Sequence, residues 1–319
     1  MERSRSLLDR AAIIPIAACA LLFGSTLGVT AQSPEASMDA ASMAPAASMA
    51  PAVIGPECAK EALVLKNPGR LTLSTDTPAY SPWWAGTAPA DSEWAGEFSG
   101  YPPAGEGYEG AMSAAIAAAL GFTPDETDWI PNTVFENAFA PGPKAFDFHL
   151  AQISIKPERA EAVDFSDPYF DSNQAVVALA ANAVTKATTM AELKDFKLGA
   201  AVGTTSLAFI EDVIQPNTEV SVFNDNATLV QALQNGQVDG LVADLYSGIY
   251  MKDVQLSDAV IAGRFDSTQQ IDQMGMVFEK GSALTPCVDE ALAVIKANGT
   301  LQSIYDQWIG GGAAVPVYQ

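Results

Sequence analysis

Along this 319-residue chain, short apolar runs are set between helical stretches of mixed polarity. Leu71-Thr72-Leu73-Ser74-Thr75 alternates apolar and polar side chains, a strand that ends in the turn Asp76-Thr77-Pro78. Residues 110–120 are Ala-rich and stop at Gly121, which predicts a helix with a glycine C-terminal cap. Residues 146–155 predict a second strand, and the Val- and Ala-rich run 174–180 a buried one. A short helix over 190–193, a strand over 198–202 and helices over 206–214 and 227–235 follow. Strands over 240–243 and 274–278 and helices over 284–297 and 300–308 complete the series, and Gly310-Gly311-Gly312 reads as a loose tail. Strands alternating with helices give the α/β class with mostly parallel sheets. The block 180–268 reads as a self-contained sheet with helices, inserted between the two halves of another lobe. Such an insertion makes two crossings that act as a hinge, expected at Gln174–Leu179 and at 271–278. Ligands of such sheets bind beyond the carboxyl ends of the strands, here in the cleft between lobes.

The start of the chain has a different pattern. Arg3, Arg5 and Arg10 precede an apolar run over 11–29, which closes on Val29-Thr30-Ala31. Residues 1–31 therefore read as a secretory signal peptide cleaved before Gln32, with a retained membrane anchor as the alternative. Ile16-Ala17-Ala18-Cys19 has the form of a lipobox, so a lipid anchor at Cys19 stays open. The apolar run continues past it, and that favours cleavage at Ala31. Each reading places the protein outside the cytoplasm, periplasmic or at the cell surface. Residues 32–55, with Ala-Ser-Met repeated among Ala and Pro, read as a flexible spacer. Export also bears on the cysteines. With Cys19 removed, Cys58 and Cys287 remain in an oxidising compartment and are expected to form one disulfide.

Charge changes the picture once. Sixteen basic residues against 38 acidic ones give a net charge of −22, which repels phosphates and argues against a nucleic-acid partner. No Walker loop, His/Cys cluster or G-x-S-x-G elbow occurs, so no cofactor, metal or catalytic serine is expected. The single histidine, His149, lies in a predicted strand beside Phe148 and reads as packing or surface.

One stretch is specific. Ser154-Ile155-Lys156-Pro157-Glu158-Arg159, running on to Val163-Asp164-Phe165-Ser166-Asp167-Pro168-Tyr169, resembles the polar amino-acid-binding proteins, family 3 of the bacterial solute-binding proteins of ABC importers. Gly107-Tyr108-Glu109-Gly110, Val202-Gly203-Thr204-Thr205 and Gly236-Gln237-Val238-Asp239 with Asp244 support the resemblance, which covers 56–309. It implies a type II periplasmic-binding-protein-like fold: two α/β lobes joined by a two-strand hinge, lobe 1 over 56–178 plus 270–319 and lobe 2 over 179–269. It implies a monomer that closes on an amino acid and hands it to a membrane permease.

The resemblance also assigns residues. Arg159 takes the ligand α-carboxylate, for which a guanidinium offers a planar fork of donors; a surface ion pair with Glu158 or Glu161 is the plain alternative. Ser154 and the Gln152 region add hydrogen bonds. Thr205, at a strand-to-helix turn, adds its hydroxyl and a helix start, which also suits simple capping. Asp244 takes the α-ammonium, or caps the next helix. Tyr80 and Phe135 form apolar walls, with Trp83 and Trp84 divided between wall and core. Asp76 faces the ligand side chain or makes a turn. Two stretches depart from the family, 85–106 and 139–144, and both are expected near the cleft mouth. The rivals are an enzyme on the same scaffold, of the cyclohexadienyl-dehydratase kind, and a sensor serving a signalling partner.

Overall fold

The computed structural model describes residues 53–96, 98–266, 272–310 and 315–318. The expected signal peptide, Cys19, nearly all of the spacer, and Gly311-Gly312 lie outside them. Twelve strands are present among the described residues: β1 Leu71–Asp76, β2 Thr127–Asn132, β3 Phe148–His149, β4 Val163–Phe165, β5 Phe170–Ser172, β6 Gln174–Leu179, β7 Leu198–Ala201, β8 Ser221–Phe223, β9 Gly240–Asp244, β10 Ala259–Arg264, β11 Asp272–Met274 and β12 Val277–Glu279. The α-helices are α1 Tyr108–Ala119, α2 Pro157–Ala160, α3 Met190–Leu193, α4 Thr205–Phe209, α5 Asn226–Gln234, α6 Leu245–Tyr250, α7 Thr285–Ala297 and α8 Thr300–Trp308.

The strands form two five-stranded sheets and one two-stranded ladder. The first sheet has the order β2-β1-β3-β12-β4, the second β10-β6-β9-β7-β8, and β5 pairs with β11. β1 runs parallel to β2 and β3, and β7 parallel to β8 and β9, while β12 and β6 are the antiparallel members of their sheets. This is the two-lobed α/β architecture of type II periplasmic binding proteins.

Each sheet makes its own core. Leu71, Leu73, Phe148 and Phe278 meet Tyr108, Met112 and Ile116 of α1 and Val288 and Leu292 of α7. In the second sheet the alternation along β6 divides two cores. Val176 and Ala178 face Phe209, Ile210 and Ile214, whereas Ala175 and Val177 face Leu229 and Leu233. A strand covered on both faces has no polar side to show, which is why it reads as an unbroken apolar run. Cys58 and Cys287 are bonded, with Cα atoms 5.2 Å apart, and tie the start of the first lobe to α7.

Several boundaries differ from the expectation. Gln174–Leu179 is no crossing: it pairs with β9 and β10 inside the second sheet. The crossings are β5 and β11, antiparallel from Ser172 opposite Asp272 to Phe170 opposite Met274, so 174–178 belongs with the second lobe. Ile271 lies outside the described residues. The tail also departs from lobe 1. Val317 bridges to Arg264, and the Tyr318 ring stacks on Phe265 at 4.9 Å, both in the second lobe. Gly263 makes room for that ring, since a Cβ there would lie 2.5 Å from it.

The strand expected over 146–155 shrinks to Phe148–His149, because Gln152 takes a left-handed φ of 53° and turns the chain out of the ladder. The strand over 274–278 divides around Gly275 and Met276 into β11 and β12. The helix over 206–214 becomes α4 and a wider π turn over Ile210–Ile214. α1 starts two residues early: Gly107, at φ 90°, packs its bare Cα on the Trp83 backbone.

Candidate functional site

The ends of β1, β3, β7 and β9 converge on one cavity of about 590 Å³ between the lobes. Asp76, Tyr80, Phe135, Gln152, Ser154, Arg159, Thr205 and Asp244 all line it. The eight come from five separate segments, so the fold brings together what the sequence scatters.

Arg159 sits in α2, where Pro157 starts the helix and supplies no unpaired N–H. Its side chain turns inward and is 8% exposed. It pairs with neither Glu158 nor Glu161 among the described residues. The guanidinium donates to the carbonyl of Ser154 at 2.8 Å and, across the cleft, to that of Gly203 at 2.8 Å. Its flat face lies over Phe139 at 4.3 Å and Phe135 at 5.7 Å. Two carbonyls use two of its five N–H groups and leave donors for an anion. Burial lowers its pKa, opposed by Asp272, Glu158 and Glu136.

Thr204 caps α4, accepting from the Leu207 amide at 3.1 Å. The neighbouring Thr205 hydroxyl donates to Asp272 at 2.9 Å and lies 3.4 Å from the Ser154 hydroxyl. With its hydrogen directed at Asp272, the Thr205 hydroxyl has no hydrogen left to give, and the donor remaining to that residue is its main-chain N–H. Asp244 caps α6, accepting from the Ser247 amide at 3.0 Å, while its side chain still borders the cavity. Burial raises its pKa, and hydrogen bonds from Ser247 pull it back.

Asp76 ends β1. It accepts from Asn132 at 2.7 Å and lies 3.5 Å from His149 Nε2. Burial, opposed by the Asn132 bond and reinforced by Glu136, pushes Asp76 up to about 7. His149 is fully buried, pairs through Nδ1 with the Ser74 hydroxyl at 3.0 Å, and is pushed down to about 3 by burial, so it is neutral.

Residues without a sequence signal complete the site. Asp272, in the second crossing, accepts from Gln174 at 2.7 Å and Thr205 and pairs with Lys156 at 2.9 Å. One carboxylate on the hinge thus joins both lobes. Glu136 borders the cavity, and a Cβ on Gly203 would lie 2.7 Å from it. Phe139, from one of the two departing stretches, floors Arg159. The other stretch reaches the second lobe, because the Tyr250 hydroxyl donates to the Phe98 carbonyl at 3.2 Å; just before that stretch, the Tyr80 ring lies 6.1 Å from the Tyr250 ring. Trp83 is core: 1% exposed, edge-on to Tyr108 and Phe170, with its indole N–H given to Ser247 at 3.1 Å. Trp84 is 2% exposed, packs on Trp129, and borders the cavity as well.

The arrangement is a closed polar cleft with one forked cation facing several carboxylates. Comparisons with known proteins agree with it. The model of the bacterial extracellular solute-binding proteins, family 3, matches residues 98–311. The L-cystine-binding protein TcyJ of Escherichia coli (strain K12) is 28% identical over 169 residues, 52% of this chain and 61% of that protein. The chain therefore spans less than two thirds of that relative's length. ABC transporter arginine-binding protein 1 of the same organism is 30% identical over 172 residues, 52% of this chain and 67% of that protein. Among solved structures, an ancestral arginine-binding protein bound to arginine superposes with a TM-score of 0.61 at 27% identity. The superposition covers 76% of this chain and 99% of that one.

Proposed function

The chain belongs to family 3 of the bacterial extracellular solute-binding proteins, and from that premise we propose that it captures an α-amino acid with a cationic side chain for an ABC importer. The α-carboxylate goes to Arg159 and the main-chain N–H groups at Thr205, the α-ammonium to Asp244. Ser154 and the carbonyls of Gln152 complete the grip, and Tyr80 and Phe135 cover the apolar part. Contacts from both lobes favour the closed state, so the ligand shifts an open–closed equilibrium by its differential affinity. A membrane permease receives the closed form, and the binding protein acts as a monomer.

The observation that carries the side-chain class is the charge balance of the cavity. Asp76 and Glu136 border it and have no ion-paired Lys or Arg among the described residues, whereas Asp272 has Lys156. Two carboxylates left without a cation beside the amino-acid grip suit a guanidinium or ammonium tip. The relatives named for L-cystine and arginine support a polar amino acid, and the acids of this cavity select the cationic part of that range. Residues 1–31 serve as an export signal and 32–55 as a spacer, which places the binding lobes outside the cytoplasmic membrane; an anchor at Cys19 would hold them at its surface.

The test is a thermal-shift screen of residues 32–319 against the twenty amino acids, polyamines and common sugars. A ligand that binds only the folded state raises the melting temperature. L-arginine, L-lysine or L-ornithine is expected to give the largest rise. A rise with an acidic amino acid alone refutes the side-chain class, and a rise with a sugar or keto acid alone refutes the roles of Arg159 and Asp244.

A further inference from the structure

Gln152 borders the cavity in a left-handed conformation, φ 53°, which crowds the Cβ of any residue but glycine against its own backbone. Such a bend persists only where its surroundings over-determine it. The restraint comes from Glu109, the second residue of α1. One carboxylate oxygen accepts the Gln152 main-chain N–H at 2.8 Å, and the other accepts its side-chain amide. The first oxygen also accepts from the Tyr169 hydroxyl. Three donors from two loops therefore meet on one acid.

That acid is costly. Glu109 is 0% exposed and has no Lys or Arg within ion-pair distance among the described residues. Its place in the first turn of α1 helps a negative charge, yet burial still pushes it up to about 7. An apolar residue would serve the core better. Glu109 does not border the cavity. What it holds does: two residues past Gln152 lies Ser154, whose carbonyl receives Arg159. Tyr169 immediately precedes β5, the first crossing, and pairs its own N–H with Met274 on the second at 2.9 Å.

We propose that Glu109 is a positioning residue of the binding site, which fixes the left-handed bend at Gln152 so that Ser154 and Arg159 face the cleft, and ties that bend to the base of the hinge. The proposal rests on the reading of the cleft as an amino-acid site, and Glu109 touches the ligand nowhere.

Glu109→Gln, close in shape and uncharged, tests it in two independent ways. Without ligand, a crystal structure of the variant is expected to find Gln152 outside the left-handed region and residues 150–156 displaced. Gln152 still left-handed in an unmoved loop overturns the proposal, whatever the cleft binds. With L-arginine as the probe, calorimetry is expected to show at least tenfold weaker affinity, partly regained in Glu109→Asp, which keeps the carboxylate. Unchanged affinity in Glu109→Gln, or equal losses in both variants, overturns it too. A wild-type protein that binds no amino acid refutes the reading of the cleft, and the ligand-free structure then decides on Glu109 alone. Should Glu109→Gln not fold, the ligand-free structure of Glu109→Asp decides. Its shortened carboxylate must draw residues 150–156 toward α1, and a loop that stays in place overturns the proposal.

Discussion

Asp76→Asn should make the ligand-free protein more stable at pH 8 while spoiling it for a cationic ligand. Asparagine keeps the shape and the oxygen that accepts from Asn132, so the change isolates the charge. Folding raises the carboxyl from 3.8 to about 7, chiefly through burial. At about 1.4 kcal/mol for each pH unit, ionising it in the fold costs about 4 kcal/mol relative to the unfolded chain. The side chain is 29% exposed to the cavity, and water entering there reduces the cost, so a gain of about 1–3 kcal/mol is expected. The sign fixes the pH window. Below about pH 4 Asp76 is protonated in both states and the variant gains nothing. The gain grows as pH rises from 4 and is complete above 7. Glu109 and His149 titrate in both proteins and largely cancel in the difference. Urea denaturation of both proteins at pH 4, 6 and 8 measures it. A variant less stable than wild type at pH 8, or a difference that does not change with pH, refutes the reasoning.

Arg159→Lys keeps the charge but loses the fork and the flat face over Phe139, and calorimetry should find L-arginine affinity reduced at least a hundredfold, about 3 kcal/mol. Reducing the Cys58–Cys287 bond, which spans 229 residues, should lower stability by at most about 5 kcal/mol; a urea midpoint unmoved by reductant would show that the unfolded chain gains nothing from release. Gly263→Ala puts a methyl group into the Tyr318 ring and should cost about 1–3 kcal/mol in a thermal melt, with no further loss when Tyr318→Ala is added.

Much of the site could be read in advance because its residues follow strand ends in short polar turns. Ser154 and Arg159 lie in one stretch, Thr205 follows Gly203 where β7 hands over to α4, and Asp244 closes β9. Asp272, Glu136 and Gln174 had no such signal. Each is an ordinary polar residue until the fold sets it beside Thr205, Gly203 or Asp272. β2 was hidden for another reason: Pro131 lies within it, which only an edge strand tolerates, and β2 is the outer strand of its sheet. The crossing was misplaced because β5 and β6 adjoin with one residue between them. The stronger apolar run marks the sheet interior, whereas the true crossing is three residues of mixed polarity. Glu109 stood in a motif, but its purpose depends on a backbone angle at Gln152 that no local pattern announces.

The tail has a consequence for how this protein meets its own kind. β10 is an outer strand of the second sheet, and an outer strand presents unpaired main-chain groups that another chain can extend. At Arg264 both groups are already taken: the N–H by the Pro316 carbonyl at 2.8 Å, the carbonyl by the Tyr318 N–H at 3.0 Å. The four described tail residues thus blunt one end of that edge from within. A concentrated solution of the protein loses there a foothold for sheet-to-sheet aggregation, without a lysine or proline in the strand itself to ward it off.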